Sequence, residues 1–163
     1  NKSLTEVISL YKTFTDSLKA DIKNFKEIIS LLNEEDYKKK LSAEQYRVMR
    51  LGGTEAPFSG KYLKYSKKGL YTCAACGADL FTSAQKYESN DPGLAGWPSF
   101  SDIANSESVI LKEDKSLGIN RVEVMCKKCG SHLGHLFDDS NSPTKKHYCI
   151  NSCALDLKES SAR

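Results

Sequence analysis

Apolar residues in the first forty positions recur in steps of three and four, with lysines and acids between them. They are Leu4, Val7, Ile8, Tyr11, Phe14, Leu18, Ile22, Phe25, Ile29 and Leu32. This spacing places them along one stripe of a helix, and no glycine or proline precedes Gly52. The pattern predicts helix over residues 3–39, as one long helix or as a hairpin turning near Asn33. The stripe is expected to pack against the following domain or a partner helix, with a loosely registered coiled coil as the alternative.

A second, short helix is predicted to begin after Ser42. Ser42 and Gln45 have the spacing of a capping box, in which each side chain binds the other residue's main-chain N–H. The helix should continue through Met49, because Gly52 and Gly53 then end helical order.

After residue 57 the pattern changes to short runs of β-branched and aromatic residues separated by glycine, proline and Asx turns. The clearest runs are residues 69–72, 108–111, 121–125 and 147–151. Alternation of polar and apolar residues over 121–125 is typical of a half-buried antiparallel strand. The sequence therefore predicts a mainly β protein of antiparallel sheets. Its expected parts are a helical N-terminal extension at 1–40, a β domain at 41–158 and a tail at 159–163.

Composition narrows the class of protein without identifying a function. The 163 residues carry 24 Lys and Arg against 21 Asp and Glu, a net charge of +3, with 39% hydrophobic and 28% charged residues. These values are typical of a folded globular domain and do not fit a disordered chain. The charge is too small for a protein that coats nucleic acid. No apolar run approaches the ~18 residues of a membrane-spanning helix.

Four of the six cysteines form two C-x-x-C pairs, each followed by glycine. They are Cys73, Cys76, Cys126 and Cys129. Two such turns supply the four thiolates that complete a tetrahedral Zn²⁺ site, so one structural zinc per chain is predicted. A redox-active C-x-x-C and a rubredoxin-like iron site are the alternatives, and sequence alone does not separate zinc from iron. C-x-x-C cysteines stay as thiolates only under reducing conditions or when bound to metal, so the sequence indicates a reducing, intracellular compartment.

The remaining cysteines, Cys149 and Cys153, lie in or beside a β-type run. In an extended strand both would share one face with Asn151. A cysteine in such a strand is ordinarily a buried, inert residue. Three features favour a functional site instead. They are the pair His132 and His135, the tryptophan Trp97 between glycine and proline, and the polar Asn151 itself.

Several separated motifs together make residues 41–157 resemble the B-type methionine sulfoxide reductases, the class that acts on the R epimer. They are residues 42–46, 53–60, both C-x-x-C pairs, 96–100, 121–124, 132–137 and 148–152. They occur in the family's order over about 70% of the chain. The resemblance implies a zinc-clipped pair of antiparallel sheets, called a β-tent, and leaves residues 1–40 as a linker or accessory segment.

The resemblance also implies roles for individual residues. Cys149 matches the nucleophile that attacks the sulfoxide sulfur and becomes a sulfenic acid. His132, His135 and Asn151 match the other catalytic positions, with the histidines assisting thiolate formation and proton supply. Residues expected on the substrate side are Trp97, as the wall that holds the S-methyl group, Phe137 and His147.

Three departures from the family pattern are present. Ala95 stands where many members have a resolving cysteine, in a loop that residues 90–93 lengthen. His147 replaces a frequent arginine, and residues 138–140 replace the usual turn with glycine. On an unbroken strand the Cα atoms of Cys149 and Cys153 would be roughly 13 Å apart, whereas a disulfide needs about 7 Å or less. We therefore expect a cycle with one cysteine, in which an external thiol such as thioredoxin or a small thiol regenerates Cys149.

Two functions from other classes stay open at this point. One is a non-catalytic, zinc-dependent β-tent module that binds through the Trp97 pocket. The other is a zinc-ribbon nucleic-acid binder, suggested only by Lys127 and Lys128 on a C-x-x-C turn. The enzyme is the favoured function. Its expected partners are methionine-R-sulfoxide in oxidised proteins and a thiol reductant, and neither nucleic acid nor a membrane is expected as a partner. Residues 1–40 are compatible with a fused or partner domain. The protein is expected in the cytoplasm, with an organelle as the alternative, because the native N-terminus is not visible in a chain that does not begin with Met.

Overall fold

The computed structural model describes residues 3–160, and these divide into two units between Lys40 and Leu41. The first unit consists of helix α1, Leu4–Lys40. The helix is continuous past Asn33, so the long helix and not the hairpin is present. The predicted stripe positions Ile29 and Leu32 lie outside the residues whose side chains are described.

Helix α1 is the only element of its unit within residues 3–40, so its apolar stripe has no partner inside that unit. Packing of the stripe on another surface stays a prediction. Within residues 3–160, no helix is both long enough and apolar enough to cross a membrane.

The second unit begins with helix α2, Ala43–Met49, and the predicted capping box is confirmed. The Ser42 hydroxyl accepts from the Gln45 main-chain N–H at 3.2 Å, and the Gln45 side chain accepts from the Ser42 N–H at 3.0 Å. Val48 and Met49 are buried on the inner face of the helix. The cap thus fixes where the β domain's first element starts.

Nine antiparallel strands form the rest of the second unit. They are β1 Gly69–Cys73, β2 Asp79–Thr82, β3 Lys86–Tyr87, β4 Ser99–Phe100, β5 Val109–Asp114, β6 Arg121–Cys126, β7 His132–Asp138, β8 Lys146–Ile150 and β9 Leu155–Glu159. Short 3₁₀ turns occupy Ser116–Gly118 and Ser152–Ala154. Among the described residues the small sheet has the order β2-β1-β9 and the large sheet the order β3-β4-β8-β7-β6-β5. The predicted mainly β, antiparallel fold is confirmed.

Aromatic side chains from both sheets form the core between them. Phe81 of the small sheet stacks on Phe100 of the large sheet, with ring centroids 4.4 Å apart. Tyr71 meets Phe100 edge-on at 5.1 Å, and Tyr148 contacts Phe81 at 5.8 Å. Burying such large rings supplies most of the hydrophobic stabilisation of a small domain.

The large sheet has one face toward this core and one face that carries polar residues. Phe100 and Tyr148 oppose each other across β4 and β8 on the core side. Successive side chains of a strand point to opposite faces. Ser99 and Cys149, the neighbouring opposed pair, therefore lie on the other face.

The prediction that one strand carries both Cys149 and Cys153 is wrong. Strand β8 ends at Ile150, and Cys153 lies in the 3₁₀ turn Ser152–Ala154 that precedes β9. The main-chain N–H groups of Ser152 and Cys153 donate to the carboxylate of Glu55 in place of a strand partner. Strand β9 then runs to Glu159, the first residue of the predicted tail. Residues 161–163 lie outside the described residues.

Candidate active site and metal centre

The four cysteines of the C-x-x-C pairs lie together at the ends of two strands. Their four Sγ atoms all lie within 4.8 Å of one another; the residues are Cys73, Cys76, Cys126 and Cys129. Sγ of Cys73 is 3.8 Å from Sγ of Cys129, and Sγ of Cys76 is 3.6 Å from Sγ of Cys126. Tetrahedral bonds of ~2.3 Å from zinc to sulfur require S···S separations of roughly 3.8 Å. The cluster therefore has the dimensions of a four-thiolate metal site.

The two turns that present these sulfurs have the same backbone geometry. Gly77 and Gly130 adopt φ of +72° and +68°, which a side chain disfavours. Their N–H groups donate to the carbonyls of Cys73 and Cys126 at 2.7 and 2.9 Å. The glycine behind each C-x-x-C pair is thus required for the turn to close around a metal.

Clustering four sulfurs without a cation is electrostatically unfavourable. Hydrogen bonds with Cys126 and Cys129, followed by burial, raise the pKa of Cys73 well above its usual value. A divalent metal reverses this preference because it binds thiolates directly. The donor set fits a structural metal, since all four tetrahedral positions are filled by protein.

A second group of polar side chains lies on the outer face of the large sheet. Antiparallel pairing makes Cys149 of β8 the direct neighbour of His135 of β7, and His135 the neighbour of Glu123 of β6. Side chains opposed in this way have Cβ atoms roughly 4.5–5.5 Å apart on one face. The register alone therefore brings the predicted nucleophile and a predicted catalytic histidine together.

A β-bulge brings the second histidine to the same face. Val124 pairs with Gly134 but Met125 pairs with His132, so Leu133 is an extra residue in β7. The ring of His132 lies 5.3 Å from that of His135, and Nδ1 of His132 is 2.7 Å from the Glu123 carboxylate. His132 is 5% exposed, and its Nε2 has no partner within the described residues.

The protonation state of His135 follows from its surroundings. Its Nε2 is 2.8 Å from Oδ2 of Asp114, and the same oxygen accepts from Arg121 at 2.7 Å. Burial lowers the pKa of His135, and the bond to Asp114 offsets this only in part. The imidazole is therefore neutral near pH 7. With Asp114 accepting the Nε2 proton, Nδ1 is free to accept one.

A cavity of about 160 Å³ opens on this face of the sheet. It is lined by Thr54, Gly93, Leu94, Trp97, Arg121, Gly134, His135, Phe137, Cys149 and Asn151. A cavity of about 150 Å³ in another protein holds benzene, so this one accommodates a methionine side chain. Leu94, Trp97 and Phe137 supply apolar walls, whereas Cys149 and His135 contribute a thiol and an imidazole.

The Cys149 thiol is protonated in this cavity. Burial, followed by the negative charges of Glu55 and Asp91, raises the pKa of Cys149 from 9.0 to about 12. Its Sγ donates to the carbonyl of Leu94 at 3.9 Å. Formation of a thiolate here would need a proton acceptor, and the cross-strand neighbour His135 is a neutral imidazole.

Asn151 and Trp97 reach the cavity through a common support. The Asn151 Oδ1 accepts from the Glu55 main-chain N–H at 3.0 Å, and its Nδ2 donates to the Leu133 carbonyl at 2.9 Å. The Trp97 indole N–H donates to the Glu55 carbonyl at 3.2 Å. Both side chains are held in fixed orientations by the main chain at Glu55.

Two residues predicted for catalysis or substrate binding, His132 and His147, do not line the cavity. The His132 ring contacts the lining residue His135. The other residue, His147, lies behind the lining residue Phe137. Its side chain is fully buried, and its ring packs against Tyr87 and Phe137 with centroids 5.4 and 6.4 Å apart. Burial lowers the pKa of His147, so the ring is neutral, and its Nδ1 lies 3.6 Å from Asp139. This placement supports a packing role behind Phe137 and gives no contact with a substrate.

Four residues at the site were absent from the predicted set: Glu55, Asp114, Arg121 and Glu123. For Arg121 and Glu123 the signal was available, because strand alternation over residues 121–125 puts both on the polar face. Asp114 ends β5 and Glu55 lies in a loop. Only the tertiary structure brings these two carboxylates to the histidine and to the turn after Cys149.

Comparison with known proteins agrees with this geometry. A family model described as the SelR domain matches residues 41–159. The chain belongs to this family. Within it, a peptide methionine sulfoxide reductase MsrB of Methanosarcina barkeri is 55% identical over 126 residues, covering 77% of this chain and 86% of that protein.

More distant relatives show the same match. A Leifsonia xyli peptide methionine sulfoxide reductase MsrB is 48% identical, covering 77% of this chain and 88% of its own. The mouse protein named methionine-R-sulfoxide reductase B3, mitochondrial, is 43% identical over 84% of this chain and 51% of that protein. Among solved structures, a Mis18 "Yippee-like" domain covers 59% of this chain with TM-score 0.43 and 17% identity, too distant to carry an argument.

Metal removal should unfold the β domain. A chelator, or Cys129→Ser, eliminates a clip that contributes folding free energy of about 10 kcal/mol in four-thiolate sites. We expect the thermal transition seen by circular dichroism to disappear together with the bound metal measured by mass spectrometry. Cys153→Ser, outside the cluster, is the control and should retain both. A metal-free protein with an unchanged Tm contradicts the prediction.

Alkylation of Cys149 should be slow at neutral pH and should accelerate with pH. Because its pKa is about 12, the reactive thiolate increases roughly tenfold per pH unit well below that value. Iodoacetamide labelling from pH 7 to 9, followed by peptide mapping, should show this rise without a plateau. In denaturant the profile should move toward the ordinary cysteine pKa of about 8.5. A plateau near pH 7 in the folded protein is the opposite result.

Proposed function

We propose that Cys149 is the group with which this protein reduces methionine-R-sulfoxide to methionine. Methionine-R-sulfoxide reduction itself follows from family membership, since the similar proteins of this family bear that activity in their names. The observation that supports Cys149 is its direct cross-strand pairing with His135 in a cavity walled by Trp97 and Phe137. Nothing in the comparisons favours the non-catalytic binding module.

His135 is proposed as the proton acceptor and donor of the reaction. Its neutral Nδ1 takes the proton of the Cys149 thiol as Sγ attacks the sulfoxide sulfur, and returns it to the sulfoxide oxygen. The attack forms a bond between Sγ and the substrate sulfur. That S–S bond and the substrate S–O bond both break as the protonated oxygen passes to Sγ, so that an S–O bond forms on Cys149. The methionine sulfur gains two electrons and the Cys149 sulfur loses two, so the products are methionine and a cysteine sulfenic acid.

The apolar walls are proposed to orient the substrate. Trp97 and Phe137, with Leu94 from the lengthened loop, suit the S-methyl group and the methylene chain of the methionine. The polar end of the sulfoxide then faces His135 and Arg121. Asn151 is fixed by its two bonds at the cavity edge, where it keeps one amide hydrogen and one lone pair for further hydrogen bonds.

Regeneration of Cys149 is proposed to use an external thiol, from thioredoxin or a small thiol. The first thiol attacks the sulfenic acid sulfur and releases water, and a second releases Cys149 and leaves as part of a disulfide. Ala95 offers no thiol for this step. Cys153 lies in a different cavity from Cys149, one lined by Gln45, Glu55 and Lys61.

Zinc is proposed as the metal in the four-cysteine cluster, because thiolates in tetrahedral geometry select it in structural sites. Its role there is to hold the fold, and no step of the reaction passes through it. The reduced C-x-x-C pairs favour a reducing compartment. A nucleic-acid role for the second C-x-x-C turn is disfavoured, since Lys127 is paired with Glu107 at 2.8 Å.

Cys149→Ser should abolish sulfoxide reduction and leave the fold intact. A hydroxyl at its ordinary pKa is too weak a nucleophile for this step. Activity is measured with separated R and S epimers and a thiol reductant, and folding by Tm and metal content. Full activity in the serine variant would end the assignment of Cys149.

Cys153→Ala should turn over at a near-normal rate. One equivalent of methionine-R-sulfoxide without reductant should leave a sulfenic acid at Cys149, trapped by a dimedone probe and located by mass spectrometry. The Ala variant should give the same adduct. A disulfide between Cys149 and Cys153, with turnover lost in the variant, is the contrary outcome.

A further inference from the structure

A buried carboxylate lies behind the proposed active site and takes no part in the reaction described above. Glu55 is 4% exposed. Its Oε2 accepts from the Cys153 N–H at 2.9 Å, and its Oε1 accepts from the Ser152 N–H. Hydrogen bonds from N–H groups to an ionised carboxylate are among the stronger ones in proteins. The side chain therefore fixes the turn that directly follows strand β8.

The main chain of the same residue holds two further parts of the site. Its N–H donates to Asn151 and its carbonyl accepts from the Trp97 indole. Thr54, the preceding residue, lines the cavity itself. Side chain and main chain of Glu55 thus connect the turn after Cys149, the Asn151 amide and the Trp97 wall.

The main chain at Gly60 packs closely against the carboxylate and the turn that it binds. A side chain on Gly60 would overlap Cβ of Ser152 and would come within 2.9 Å of Oε1 of Glu55. The Ser152 hydroxyl is in turn held by the Tyr62 N–H at 2.8 Å. The loop that carries Glu55 is locked onto the turn by these contacts.

We propose that Glu55 is a positioning residue of the active site, which sets Cys149 and the Trp97 wall at the spacing that the sulfoxide requires. The proposal rests on the proposed function of Cys149. A displaced wall would admit the sulfoxide in more than one orientation, so both rate and preference for the R epimer should depend on Glu55. Displacement of a reacting group by about 1 Å lowers rates up to roughly 100-fold.

The Glu55 charge supplies a second, independent signature. It is one of the charges that raise the pKa of Cys149, after burial. The other charged or titratable groups around Cys149 are Asp91, Arg121, His135, Tyr87 and His147. Removing the Glu55 charge alone should lower the pKa of Cys149, whereas moving the carboxylate without removing it should not.

The test compares Glu55→Gln, which keeps the shape and removes the charge, with Glu55→Asp, which keeps the charge and shortens the reach. Glu159→Gln is the matched control, because that carboxylate binds Tyr65 and Lys67 at the far end of β9. Each full-length protein is first checked for metal content and Tm. The readouts are kcat and KM for each epimer of N-acetyl methionine sulfoxide, emission of the sole tryptophan, Trp97, and iodoacetamide labelling of Cys149 against pH.

Both Glu55 variants should lose about 10- to 100-fold in kcat for the R epimer, with a smaller ratio of R to S rates and red-shifted Trp97 emission. In Glu55→Gln, labelling of Cys149 at pH 8 should rise about threefold, because one of the charges that raise the pKa of Cys149 is removed. Glu55→Asp should keep the wild-type labelling profile. Glu159→Gln should match wild type throughout.

Unchanged kcat, epimer ratio and emission in a folded Glu55→Gln protein overturn the proposal. So does a loss of kcat that accompanies a fallen Tm with unaltered emission and labelling, because that pattern marks a residue needed only for folding. If Glu55→Gln does not fold, Glu55→Asp decides by the same criteria. If the wild type reduces neither epimer, the proposed function fails, while emission and labelling still decide whether Glu55 controls Trp97 and Cys149.

Discussion

The four-sulfur cluster is the constraint on which the rest of the β domain depends. Cys73 ends β1 of the small sheet and Cys126 ends β6 of the large sheet. A metal bound there ties the two sheets at one edge, while the Phe81 and Phe100 rings join them at the core. Arg50, just after α2, donates to the Cys129 carbonyl at 3.0 Å and so attaches the helix to the same point.

Strand register then determines the chemistry of the outer face. His135 lies directly between Cys149 and Glu123 because β7 pairs with both neighbours in one register. A slip of β7 by one residue would send His135 to the core face and away from Cys149 and Glu123. Gly134 permits this pairing, because a side chain there would overlap the Cys149 carbonyl. The glycine between the two histidines is therefore needed for the close approach of β7 to β8.

Local patterns predicted the helices, the main strands and the metal cluster. They did not predict features that depend on a β-bulge or on contacts between residues distant in the sequence. Capping chemistry at Ser42 and alternation over residues 121–125 are local, and both were confirmed. A spacing of three would place His132 and His135 on opposite faces of a regular strand, so only the bulge at Leu133 explains why they meet. The end of β8 before Cys153 depends on Glu55, almost one hundred residues away. Long-range hydrogen bonds of that kind leave no periodic trace in the sequence.

Four carboxylates surround the proposed site, and their distribution bears on how a protonated thiol would serve a redox reaction. Asp114 and Glu123 bind the two histidines, whereas burial and the charges of Glu55 and Asp91 raise the pKa of Cys149. Oxidants attack thiolates far faster than thiols. A neutral Cys149 should therefore react slowly with adventitious peroxide while the cavity is empty. In the proposed reaction, a sulfoxide oxygen that receives the proton through His135 makes the sulfur nucleophilic, so protection and selectivity for the substrate would arise from the same electrostatic arrangement.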